Sequence, residues 1–187
     1  RELGIAFYGT LNSLPLTYNV GLMNGLNSAN FQHGTGFRDG RAEGSNVFAN
    51  NLAVTAAVQY NISNFKFQVS GYAGGTVGLN QRSADSLSLD NGAFGTLLYL
   101  GEADVQFAKN GISAKALGTY VAYPNADKVN VAYAKNTGSG MYGAYAEFGF
   151  DWFYHQQKTA QFITFVRGEI LDLNSNLPPQ PKGIYDG

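Results

Sequence analysis

The chain has 187 residues, among them 24 Gly, 13 Phe, 12 Tyr and one Trp, and its 12 Lys plus Arg against 13 Asp plus Glu leave a formal net charge of -1. Charged residues make up 13%, about half the usual share of a soluble domain; 44% hydrophobic residues argue against disorder, and the missing basic excess argues against nucleic acid as a partner. With no Cys there is no disulfide framework, thiolate metal site or Cys nucleophile, and no apolar run approaches the roughly 20 residues of a membrane-spanning helix.

Arg1 rather than Met opens the chain, with no basic-then-apolar leader before it, so the chain reads as processed or cut. From there period-two alternation dominates, which predicts strands in four hairpins. The first pairs about residues 2–11 with 16–23 across Asn12-Ser13-Leu14-Pro15, with Pro15 outside the ladder. In the second, Leu52, Val54, Ala56, Val58 and Tyr60 alternate with Ala53, Thr55, Ala57 and Gln59; after Asn61-Ile62-Ser63-Asn64, Phe65, Phe67 and Val69 alternate with Lys66, Gln68 and Ser70. The third pairs about 93–108 with 112–122 across Lys109-Asn110-Gly111, and Asn-Gly is the dipeptide that tight hairpins favour. The fourth pairs about 141–154 with 161–173 and turns near His155-Gln156-Gln157-Lys158.

Between hairpins lie long connections, about 24–50, 77–92, 124–140 and 174–187, rich in Asn, Gly, Ser and Asp; Asn125 to Ala134 is a candidate short helix. Structureless loops beyond about 12–15 residues are uncommon in compact soluble domains. Strict alternation of short and long connections instead fits an antiparallel, up-and-down transmembrane β-barrel with short periplasmic turns and long extracellular loops, whose strands of about 9–11 tilted residues cross the hydrocarbon. The whole of 1–187 reads as one such segment, in the outer membrane of a Gram-negative bacterium.

Alternation alone does not separate this fold from a soluble barrel, but the content of each face does. Tyr142, Ala144, Ala146, Phe148, Phe150, Trp152 and Tyr154 make one face of the seventh strand; Ile112, Ala114, Ala116, Gly118 and Tyr120 make one face of the sixth. Such mixtures of aromatics with Ala and Gly suit a wall against lipid better than an interdigitated core. Aromatics at strand ends suggest two interfacial girdles: Tyr60, Phe65, Phe67, Phe107, Trp152, Phe153, Tyr154 and Phe162 toward the short turns, and Tyr120, Tyr123 and Tyr142 toward the long loops. The competing reading is that aromatics merely favour strands.

The opposite faces carry Glu2, Lys66, Glu102, Asp104, Lys115, Glu147, Asp151, Arg167 and Glu169, charges that are costly against lipid and ordinary against a watery lumen. These nine are the predicted pore-lining residues, with Lys115 expected to pair with Glu102 or Asp104. The bland alternative is solvated lumen residues without chemistry. If the short turns are periplasmic, the first strand starts and the eighth ends on the extracellular side, whereas complete bacterial barrels leave both ends in the periplasm. Eight strands would expose two unpaired edges, so they are expected to belong to a larger barrel of about 12–18 strands.

Three segments of the first half, Tyr18-Asn19-Val20-Gly21-Leu22-Met23-Asn24-Gly25-Leu26-Asn27, Gly36-Phe37-Arg38-Asp39-Gly40-Arg41 and Ala49-Asn50-Asn51-Leu52-Ala53-Val54, resemble porin-like outer-membrane proteins of Bacteroidota. Phe165-Val166-Arg167-Gly168-Glu169, followed by Asp172-Leu173 and Leu177-Pro178, is similar to the same family. The resemblance implies a porin-like channel, broadly grouped with phosphate-selective porins. It carries no substrate, because no Lys or Arg ladder is present and the expected lumen holds more acidic than basic residues.

Other chemistry is sparse. Arg38, Asp39, Arg41 and Glu43 are a candidate constriction loop, folding inward to set a transverse field, against the plain reading of an exposed loop. His33 and His155 lack metal-ligand spacing, and only His33 with Asp39 or Glu43 offers a catalytic grouping. Ser83 to Asn91 lacks the spacing of a calcium loop, Asp85-Ser86-Leu87 resembles a short Bacteroidota O-glycosylation pattern, and Gly71-Tyr72-Ala73-Gly74-Gly75 reads as a strand end rather than a phosphate loop. The expectation is therefore a non-enzymatic passive channel for small polar solutes, without cofactor or metal. Its expected partners are outer-membrane lipid and a homo-oligomer or larger membrane complex. The alternatives are a non-conducting barrel serving a secretion or surface-assembly complex, and a soluble ligand-binding barrel.

Overall fold

Eight strands form in the computed structural model, which describes residues 2–42, 44, 51–156 and 160–178. They are β1 (Gly4–Leu11), β2 (Leu16–Asn24), β3 (Leu52–Ile62), β4 (Phe65–Gly75), β5 (Leu97–Lys109), β6 (Ile112–Ala122), β7 (Gly140–Asp151) and β8 (Ile163–Asn176). Each pairs antiparallel with its sequence neighbours in a single sheet ordered β1 to β8; β1 and β8 are not paired, so the sheet is open. No helix among the described residues is long and apolar enough to cross a membrane.

Turn chemistry sets the hairpins. Asn110 (φ 52°) and Gly111 (φ 79°) both take the left-handed conformation that a two-residue hairpin loop requires. Between β3 and β4 the turn tightens to Ser63-Asn64, because Asn61 and Ile62 stay in the ladder opposite Lys66 and Phe65. The fourth turn is longer than expected. A carboxylate oxygen of Asp151 accepts the backbone N–H groups of Phe153 (3.0 Å) and Phe162 (3.2 Å), which ends β7 and leaves Trp152 and Tyr154 in the turn rather than on the strand.

The long connections cover residues 25–51, 76–96 and 123–139. The expected helix forms as α2 (Ala126–Tyr133), but α1 (Gln81–Ser86) was not legible, being six residues long and held by the Asn80 side chain, which accepts the Ser83 N–H at 3.0 Å.

Register collects the side chains onto two faces. Val20, Ala56, Gly71, Gly101, Tyr120 and Tyr142 stand side by side on one; Asn19, Ala57, Ser70, Glu102, Thr119 and Gly143 stand on the other. Exposure is the reverse of a soluble sheet. On β3 and β4, Val54, Ala56, Val58, Phe65, Phe67 and Val69 are exposed, while Thr55, Ala57, Gln59, Lys66, Gln68 and Ser70 are half-buried. On β5 and β7, Tyr99, Ala103, Tyr142 and Phe148 are exposed, and Glu102, Asp104 and Glu147 are half-buried.

Aromatics flank the apolar face at both ends. Phe65 lies 4.9 Å from Phe107 and 5.8 Å from Phe67, centroid to centroid, at the turn end. Tyr99, Tyr120 and Tyr142 stand exposed at the loop end. Tyr123, expected among the latter, is instead 1% exposed beneath the connections. The buried core is confined to that end, where Leu26, Phe31, Val77, Leu89, Tyr123 and Val129 of the connections pack on Leu98, Val121 and Met141 of the polar face.

Candidate functional site

Eight of the nine charges predicted to line a pore share the polar face, Glu2 lying ahead of β1, and the register gives each of the eight an address. Lys66, Gln106, Lys115, Glu147 and Arg167 form one continuous rung from β4 to β8. The next rung toward the long connections runs Gln68, Asp104, Leu117, Tyr145 and Glu169, and the one after that Ser70, Glu102, Thr119, Gly143 and Leu171. The expected partnership of Lys115 with Glu102 or Asp104 is corrected: Lys115 faces Gln106 on one side and Glu147 on the other, while Asp104 faces Leu117 and Glu102 faces Thr119.

Local bonds hold several of these groups. Arg167 pairs with Glu169 along its own strand at 3.0 Å and lies over the Tyr145 ring, 4.1 Å from its centroid. Both partners of the ion pair are well exposed, which limits its worth to a fraction of a kcal/mol, about 0.2–1. Gln106 donates to Asp104 (3.1 Å) and Ser70 to Glu102 (3.4 Å). Glu2 and Asp151 serve the backbone framework: Asp151 organises the fourth turn, and Glu2, ahead of β1, accepts from the Asn24 amide and from the Ala42 N–H. Glu2 thereby ties the first long connection to the start of the sheet.

That connection crosses the loop end of the polar face. It leaves β2, and its residues 33–36 reach the far strands. His33 Nδ1 lies 3.1 Å from the Asn136 carbonyl, Asn174 donates to the His33 carbonyl (3.2 Å), and a Cβ on Gly36 would lie 2.9 Å from the Met141 sulfur. The candidate constriction residues sit in this segment. Arg38–Gly40 is a turn of 3₁₀ helix, and Asp39 accepts from the Thr35 hydroxyl at 2.8 Å. Arg41 Nε donates to the Arg38 carbonyl at 3.2 Å, and all three side chains are exposed. Glu43 lies outside the described residues.

The three connections knit into a cap that sequence reasoning missed. Phe31 meets Tyr123 edge to face at 5.7 Å, and the Tyr123 hydroxyl shares a 2.7 Å hydrogen bond with Thr76. The Ser28 N–H donates to the Thr76 carbonyl (2.6 Å), and the Asn51 amide to the Leu26 carbonyl (2.7 Å). Burial raises the Tyr123 hydroxyl pKa well above its ordinary value, and raises that of Tyr133 on α2 for the same reason. The available signal was weak: long connections in which Leu26, Phe31, Val77, Leu89 and Val129 recur without a strand period.

No group of three or more His, Asp or Glu side chains converges among the described residues. His33 is engaged with Asn136 and Asp39 with Thr35. Asp85 accepts from Gln81 within α1, and Ser86 donates to the Ser83 carbonyl. No family model, curated protein or solved structure matches the chain.

Proposed function

We propose that this chain forms part of the wall of a porin-like outer-membrane β-barrel and works as a passive channel for small polar solutes. One observation carries the reading: on β3, β4, β5 and β7 the more exposed face of the sheet is the apolar one. Eight strands at about 4.8 Å spacing and some nine residues tall present on the order of 1,000 Å² of continuous apolar surface, several times what a soluble monomer leaves exposed. Phe7, Val69, Val166 and Ile170 are each more than 60% exposed on it. Lipid would cover that surface, and the opposite face, carrying half-buried Lys66, Glu102, Asp104 and Glu147 and exposed Lys115, Arg167 and Glu169, would line water. The two unpaired edges require further strands, for a barrel of about 12–18 in all, because a bilayer offers backbone groups no substitute partner. Transport on this reading follows the concentration gradient and needs no cofactor.

A second reading is favoured by the cap. The apolar packing of Phe31, Tyr123 and Met141 under the first connection would occlude the loop end, which suits a non-conducting barrel that supports a secretion or surface-assembly complex. Single-channel recording of the full-length protein, reconstituted from detergent into a planar bilayer, separates the two. Stable open steps are the expected result; a folded, heat-modifiable barrel without conductance would overturn the channel reading in favour of the accessory barrel.

A further inference from the structure

Basic and acidic side chains on the polar face are not mixed at random. Of the four charges on the rung that runs from Lys66 to Arg167, three are cations: Lys66, Lys115 and Arg167, with Glu147 between the last two. The two rungs nearer the cap hold only carboxylates: Asp104 and Glu169, then Glu102. Asp151, beyond the basic rung, is buried and already accepts two backbone N–H groups, so it offsets the cations less than a free carboxylate would.

From this register we infer that the wall sorts charge along the pore, positive toward the short turns and negative toward the cap, and so favours solutes that carry an anion at one end and a cation at the other. The inference rests on the channel reading above. Neighbouring rungs on one face are two residues apart, about 6.6 Å at a rise of about 3.3 Å per residue. Barrel strands tilt by about 40°, so rungs climb the wall as inclined tracks, and most of the separation between basic and acidic tracks still projects on the pore axis. A fixed axial dipole of this kind makes the barrier for a mobile ion depend on the direction in which voltage drives it. It also orients a zwitterion, placing a carboxylate against Lys66 and Lys115 and an ammonium against Asp104 and Glu102, while Arg167 and Glu169 already pair with each other across the boundary between the rungs. Amide and hydroxyl groups beside them, Gln68, Gln106 and Thr119, supply uncharged hydrogen bonds to the same solute.

The experiment is single-channel current through the full-length protein in symmetric salt, recorded at equal voltages of both signs, so that random insertion does not average out the asymmetry. Currents of opposite sign are expected to differ by about twofold or more. The zwitterion 6-aminohexanoate should reduce the current more than hexanoate or hexylammonium at equal concentration. A swap that conserves net charge, Lys115→Glu with Asp104→Lys, should shrink or invert the asymmetry and abolish the preference for the zwitterion. The single substitution Lys115→Gln should weaken both without adding a charge, and heat-modifiable migration checks that each variant folds. A conducting channel with equal currents at both signs, or equal block by all three solutes, would overturn the charge-sorting inference while leaving the channel intact. Absence of any conductance would overturn the channel reading and this inference with it.

Discussion

The strand wall and the cap above it are built on opposite packing rules. In the wall, a Cβ added to Gly101, Gly118 or Gly168 would meet nothing within 4 Å; in the cap, one on Gly40 would lie 2.3 Å from the Phe31 ring, and one on Gly25 2.2 Å from the Gly75 carbonyl oxygen. Those three wall glycines, on the apolar face, mark a thin surface awaiting cover, and Gly40 and Gly25 of the cap mark contacts already closed. Backbone ladders give the wall its order, and it leaves its apolar side chains outward. Side-chain packing of a few residues, Phe31, Tyr123, Leu98 and Met141, gives the cap its order. Two regions of one chain can therefore respond separately to mutation, provided the ladder does not depend on the cap.

The largest effect should come from the cap. Phe31→Ala removes a ring that is wholly buried against Tyr123, at a cost of about 3–5 kcal/mol. Protease cleavage and amide exchange within residues 25–42 should rise steeply while protection of the strand amides persists; loss of protection in both regions together would show that wall and cap are one cooperative unit.

Next in size is a test of which face meets lipid. Val69→Arg, on the exposed apolar face, should cost about 2–4 kcal/mol in urea titration of the protein folded in vesicles. Its neighbour Gln68→Arg, on the polar face, should stay within about 0.5 kcal/mol. Equal costs at the two positions would erase the distinction between faces on which the membrane reading depends.

The smallest effect is confined to high pH. Tyr123, in the cap, has its pKa raised by burial, so ionisation is harder in the folded cap than in the opened one. Its contribution to stability is thus fully present below the ordinary tyrosine value of about 10 and is lost as pH rises beyond it toward the folded value. Amide exchange in residues 123–139 should accelerate above about pH 10. Tyr123→Phe should flatten that rise at a cost of about 0.5–1.5 kcal/mol at neutral pH, since Thr76 keeps its 3.0 Å bond to the Thr96 carbonyl. An unchanged pH profile in that variant would place the titrating group elsewhere.

The strands, their two faces and the identity of the polar-face charges were legible because alternation is a local property. Whatever the neighbours, Lys66 and Gln68 emerge opposite to Phe65 and Phe67. Turn residues were equally local, as Asn110-Gly111 illustrates. Less legible was the pairing of charges: Lys115 faces Gln106 and Glu147 because of how β5, β6 and β7 slide against one another, a register set by the whole hairpin. Asp151 read as a lumen charge until the turn folded around its carboxylate. Tyr123 read as a girdle residue until the connections closed over it.

By itself the amino-acid sequence determined that this chain makes eight antiparallel strands, with apolar side chains on one face and charges on the other, since a strand's period of two needs only adjacent residues. Tertiary structure alone decided that the connections close into a cap across the polar face, and that Lys66, Lys115 and Arg167 gather on one rung while Asp104, Glu169 and Glu102 fall on the two rungs nearer that cap. Contacts such as Phe31 with Tyr123 or Thr76 with Tyr123 join residues far apart in the chain, and no local pattern encodes which distant side chains a long connection will meet.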